Sequence, residues 1–188
     1  MLLNNAQYEP YIQGSILAGI TQSNAAIVPQ CENAARHEIT GYLNQRFNLA
    51  TVLQDLLTYN ATAAYTIGDL VFDPAVPADI YECIADTTGG TLLTDANFFA
   101  LGDPRNPLVL QFLIEIVLYN IHKRISPQNI PTIRSLAYER AIEWLEQVQR
   151  GYITPALPPI QSSTGGTNGA STNLVEWGQS NPKGRNYY

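Results

Sequence analysis

The segment that most constrains this chain runs from Pro107 to Arg124. At helical spacing it is apolar almost all round, with Gln111, Glu115 and His122 as a narrow polar strip. No placement on a surface hides such a helix, so it belongs at the centre of its domain or between subunits. Its apolar stretch, Leu108 to Ile121, is interrupted by Gln111, Glu115 and Asn120 and falls short of the roughly 20 residues that span a bilayer.

Two further stretches read as helices that flank it. From Pro29 to Phe47, the residues Cys31, Ala35, Ile39, Tyr42, Leu43 and Phe47 recur three and four apart as one apolar stripe, and Pro29 suits a first turn. From Pro131 to Arg150 the apolar set is Ile133, Leu136, Ala137, Ile142, Leu145 and Val148. Glu146 and Arg150 form a favourable i,i+4 pair there, and Gly151 tolerates a left-handed C-terminal cap. A short helix is expected around Ala6 to Gln13.

Composition breaks the chain twice. Thr58 to Asp103 carries seven acids (Asp69, Asp73, Asp79, Glu82, Asp86, Asp95 and Asp103) and no Lys or Arg, and reads as short strands and turns. After Gly151 the chain turns to Gly, Pro, Ser, Thr and Asn, a composition that buries too little apolar surface to offset the entropy of ordering. The expected fold class is mainly α: a small helical bundle with an inserted β module and a long extended C-terminal tail. The bundle is discontinuous, residues 1–57 and 104–151; the module is residues 58–103; the tail is residues 152–188. Insertion of this kind is tolerated where a loop tip has its ends close together.

The net charge of −6 divides into −7 in the module and +1 elsewhere, so the helices offer no broad cationic face for a nucleic-acid backbone. Cys31 and Cys83 form no disulfide framework or zinc signature. Each reads as a small hydrophobe, Cys31 on a helix stripe and Cys83 in a strand. The opening Met-Leu-Leu-Asn-Asn lacks a basic region and a long apolar core, so no signal peptide is expected and the protein reads as soluble and made in a cytoplasm.

Catalytic chemistry needs convergent titratable groups, and few are present. His37 and His122 are the only histidines. His37 reads as a solvated residue beside Glu38, and His122 opens a basic helix end, His122-Lys123-Arg124, that complements the helix dipole. The run Ser163 to Gly169 lacks the Lys and following helix of a phosphate-binding loop and reads as a linker. Asp69, Asp73 and Asp79 lack calcium-loop spacing and suit turns. The expectation is no enzyme, no metal and no cofactor.

Two resemblances add to this reading. Ala35-x-x-Glu38-Ile39-x-x-Tyr42-Leu43-x-x-Arg46-Phe47, then the apolar helix Leu108 to Ile121, then Tyr138-x-x-Ala141-x-x-x-Leu145 ending in Arg150-Gly151, resembles the head-tail connector (adaptor, head-completion) proteins of tailed bacteriophages. It covers about residues 1–57 and 104–160. The resemblance implies a non-enzymatic virion protein made in the bacterial host cytoplasm and placed at the head-tail junction. It would be a ring subunit, in a dodecamer, that binds beneath the portal protein, receives the tail or stopper protein and involves no membrane. It also implies a C-terminal arm that docks on the portal, for which Leu174, Val175, Trp177, Lys183, Arg185, Tyr187 and Tyr188 are the candidate contacts. In the module, Tyr65 to Phe72, Ile80 to Ala85 and Phe98 to Asp103 resemble the β module of chitin-binding-type carbohydrate-binding domains. That family's exposed Trp is replaced by Phe98 or absent. Tyr65, Tyr81 and Phe98 are therefore either a glycan platform or the module's own core, and a small module with little else to bury favours the core. The alternative function is a carbohydrate-binding or host-attachment virion protein.

A connector works by geometry. Identical subunits repeat one heterologous contact around an axis, and genomic DNA passes through a near-neutral channel without specific binding. Self-association is expected through the apolar long helix, with Lys123, Arg124 and Arg134 facing protein partners.

Overall fold

The computed structural model describes residues 1–160. Three long helices form the bundle: α3 (Ile27–Leu43), α4 (Pro107–Ile125) and α5 (Thr132–Gln149), preceded by the short α1 (Asn5–Tyr8) and α2 (Gly14–Ile20). Asn106 starts α4 by accepting the N–H groups of Leu108 and Val109, Pro107 occupies the first turn, and His122, Lys123 and Arg124 close the last. Ten of its residues are buried, among them Leu113, Ile116, Val117 and Leu118 with no exposed surface. Burying each such side chain contributes about 1.5–3 kcal/mol. Of the two positions open to an all-apolar helix, α4 takes the centre of its own domain.

Side-chain pairs give the helix directions. Phe112 meets Trp144, Tyr119 stacks on Tyr138 and Glu115 faces Arg140, so α4 and α5 are antiparallel. Glu38 pairs with Tyr138 and Arg46 with Val148, so α3 and α5 are parallel. The result is an up-down-up bundle cored by Ala35, Ile39, Leu43, Ala141, Leu145 and Val148 together with α4.

The expectation of a mainly α fold is corrected. Helices cover 41% and strands 12% of the described residues, and a four-stranded mixed sheet stands beside the five helices, which makes a mixed α/β fold. Residues 44–55, read with the helical half, form turns rather than a further helix, and Leu56–Thr58 enters the sheet as β1. The other strands are β2 (Leu70–Asp73), β3 (Val76–Cys83) and β4 (Phe99–Leu101), in the order β1-β2-β3-β4. β1 and β2 are parallel; the other pairs are antiparallel. The two-residue period sends Leu56, Leu70, Phe72 and Ile80 into one apolar cluster, and Val71, Cys83 and Phe99 into a second with Tyr65 and Leu93. Gly68, at φ +91°, makes the turn before β2.

Residues 152–160 fold back along the bundle. Gly151, at φ +82°, ends α5; Leu157 is buried, and Asn48 donates to the Pro158 carbonyl beside a bridge between Phe47 and Pro159. No helix among the described residues is long and apolar enough to cross a membrane.

Candidate functional site

The motif residues that carry the connector resemblance form one joint between α3 and α5. The Tyr138 hydroxyl donates to Glu38 Oε1 at 2.6 Å, and its ring lies 4.1 Å from that of Tyr119. Burial and the neighbouring Glu38 carboxylate push the Tyr138 hydroxyl well above the usual tyrosine range. At the other end Arg46 donates to the Val148 carbonyl in the last turn of α5, where helix carbonyls have no partner of their own. Its guanidinium also lies against Gly151, so the arginine and the glycine of the two motifs meet.

A second constellation, absent from the sequence reading, ties the N-terminal segment and the sheet to the bundle. Arg105 is only 2% exposed. Its guanidinium donates to both carboxylate oxygens of Asp103, to the Leu2 carbonyl at 2.7 Å and to the Gln54 carbonyl at 3.0 Å. Gln54 Nε2 then donates to the Gly68 carbonyl, and Asn4 Nδ2 to that of Pro77. Nearby, buried Glu32 accepts the Leu2 N–H at 3.1 Å and the Tyr8 hydroxyl at 2.9 Å. Burial raises the Glu32 carboxyl above its usual range, and burial beside that carboxylate raises the Tyr8 hydroxyl far above its own. Both residues line an apolar groove of about 620 Å³ between the N-terminal segment, α2 and the start of α3. The sequence signal for Arg105 is that it is the first Lys or Arg after Arg46.

In the sheet module Tyr65 is 5% exposed, stacks on Tyr59 and meets Phe99 edge-on. Its hydroxyl oxygen accepts the Asn60 N–H. Tyr81 and Phe98 are half-buried against the same cluster. Cys83 is in its centre with its thiol pKa raised by burial; Cys31 is half-buried on α3 with the same shift and cause. Asp69 caps Thr66 and Asp73 caps Ala75. Among the described residues no group of three or more His, Cys, Asp or Glu could hold a metal ion. His37 is exposed, and His122 Nδ1 lies 2.7 Å from the Leu118 carbonyl.

The exposed apolar residues lie elsewhere than expected. Self-association through the long helix has little to use, since only Leu108 and Ile125 of α4's large apolar side chains are exposed. Ile133 and Leu136, read from spacing as buried, are 72% and 60% exposed on the first turns of α5. Lys123 and Arg124 are exposed at the same end of the bundle, and Arg134 donates to the Tyr11 carbonyl. Leu174, Val175, Trp177, Lys183, Arg185, Tyr187 and Tyr188, like residues 163–169, lie outside the described residues. Comparison with protein-family models, curated proteins and solved structures returned no match.

Proposed function

We propose that this chain is a structural virion protein, the ring subunit of a head-tail connector. It binds beneath the portal of a tailed bacteriophage, joins capsid to tail and extends the DNA channel. The observation that supports this reading best is the α3–α5 joint. The motif residues quoted for the connector resemblance are not scattered helix positions but mutual partners, Glu38 with Tyr138 and Arg46 with the end of α5 at Gly151. A three-helix body with apolar residues left uncovered on α5 suits a subunit whose work is to be held between neighbours.

In this reading the segment 161–188 is the portal-docking arm, with Trp177, Arg185, Tyr187 and Tyr188 as anchors of the type that dominates interface energetics. It follows Ile160, whose N–H is bonded to the Arg46 carbonyl, so the arm is rooted at the end where α4 begins. The sheet module is a peripheral contact element. Tyr65, a candidate for a glycan platform, is only 5% exposed and has no open ring face to stack on a sugar, which weighs against glycan binding.

The test is co-expression of the full chain with the portal protein of the same genome, followed by electron-microscopy class averages. Rings seated on the portal are expected, with attachment lost and the helical circular dichroism unchanged on deleting residues 162–188. Compact monomers that leave the portal bare, or that bind immobilised chitin oligosaccharides instead, would sink the reading.

A further inference from the structure

Charge is segregated along α4. Four bases of the described residues are in side-chain ion pairs: Arg36 with Asp55, Arg105 with Asp103, Arg140 with Glu115 and Arg150 with Glu146. Arg46 is engaged on α5. Arg134 donates to the Tyr11 carbonyl, and Lys123 and Arg124 remain; all three sit where α4 ends and α5 begins, beside Glu139 and the Glu38 that Tyr138 holds. Exposed Ile125, Ile133 and Leu136 share that end.

At the other end, Asp103 leads into α4 and the base-free sheet module is bound there through Arg105, Gln54 and Gly68. The module's corner beside Gly68 presents Ile67, 67% exposed, and Ile84, also exposed, together with Asp69 and Asp86. Backbone bonds hold this corner together: the Gly68 N–H donates to the Cys83 carbonyl, and the Ile67 N–H to Asp86 Oδ1. The two faces match in kind, since each carries exposed branched aliphatic side chains among charges, and the charges are of opposite sign.

They cannot meet within one molecule. A helix of 19 residues holds its ends about 28 Å apart, several times the screening length of about 8 Å at physiological salt. A two-fold contact using either face alone would set like charges against each other. We propose that the Lys123/Arg124 end of the bundle docks head to tail on the Ile67/Ile84 corner of a second copy. The contact is heterologous, so it is repeated by every added copy. This deepens the ring reading, on which it rests for closure of the repeat into a ring.

Sedimentation velocity on the full chain tests the contact. Concentration-dependent association is expected at about 50 mM salt, weakened about tenfold or more at about 500 mM and by Lys123→Glu with Arg124→Glu. Mixing that variant with Asp69→Lys/Asp86→Lys chains should restore association. Because those two aspartates also hold turns, an independent readout uses exposed positions only. In a Cys31→Ala background, Ile67→Cys with Ile133→Cys should cross-link into a ladder of multimers, and either cysteine alone should not. A monomer at every concentration, association indifferent to the charge reversals, or cross-linked dimers from Ile133→Cys alone would overturn the contact. Portal rings that survive Lys123→Glu/Arg124→Glu would overturn this contact and leave the connector reading standing. Salt-sensitive multimers that never seat on a portal would do the reverse.

Discussion

Replacing Arg105 with Met probes the joint that makes sheet and bundle one body. Met keeps most of the aliphatic stem and removes all five guanidinium donors. Three groups then lose their partner: the Leu2 carbonyl, the Gln54 carbonyl and the Asp103 carboxylate. A buried acceptor left unsatisfied costs about 1–3 kcal/mol, and breaking a buried ion pair by removing one partner about 3–5 kcal/mol. Asp103 keeps the Gln7 amide and the backbone N–H of residue 105, which limits its share. The expected loss is therefore about 3–5 kcal/mol, a large fraction of the 5–15 kcal/mol typical of a domain. Urea unfolding at pH 7 reads the total. Hydrogen exchange should show amides of residues 70–83 losing protection before those of α4. Adding Asp103→Asn should recover part of the loss, because the stranded charge is then gone. A variant within about 1 kcal/mol of the parent would refute the assignment of Arg105 as the joint.

Three further outcomes are expected. Folded Glu32 holds its proton more tightly than the unfolded chain does, so its contribution to stability is best at low pH and declines as pH rises from the ordinary glutamate value of about 4.3 through the raised folded value. Glu32→Gln, which can accept from Leu2 and donate to the Tyr8 oxygen, should remove that slope and match or exceed the parent at pH 7, whereas Tyr8→Phe should cost about 1–3 kcal/mol there. Thermal unfolding of the three proteins from pH 4 to 8 decides it, and a Gln variant much weaker at pH 7 would contradict the burial argument. Ile133→Ser and Leu136→Ser should each change monomer stability by no more than about 0.5 kcal/mol in chemical denaturation, since neither is packed; a loss of core size would put them inside. Gly151→Ala should cost about 1–2 kcal/mol, because φ +82° strains an L residue, and calorimetry showing no change would remove the capping role.

Long-period information survived the passage from sequence to structure well. Spacing predicts helices over 29–47, 107–124 and 131–150, and α3, α4 and α5 fall at 27–43, 107–125 and 132–149. Periodicity registers a face, however, and does not say whether anything covers it. That is why Ile133 and Leu136 read as core, and why α4 left two positions open. Short elements were less legible. α2 has seven residues and no side-chain cap, and β1 has three residues whose strand identity comes from pairing with Leu70 to Phe72. The mainly α expectation fails for the same reason, since spacing assigns Leu56 and Leu57 to the helical half although pairing with Leu70 and Val71 places them in the sheet.

The sequence by itself determined that an all-apolar helix had to be enclosed, that an acidic base-free module interrupts the helical halves, and that Gly151 ends the last helix. Those are properties of composition and local spacing, and they need no knowledge of neighbours. Only the tertiary structure decided that Arg105 is buried between Leu2, Gln54 and Asp103. It alone paired Glu38 with Tyr138 across 100 residues of chain. It also set Lys123 and Arg124 at one end of α4 and the base-free sheet module at the other. Solvation, pairing and charge separation depend on which distant segments meet, and a hydrophobic period records how much must be buried without recording against what.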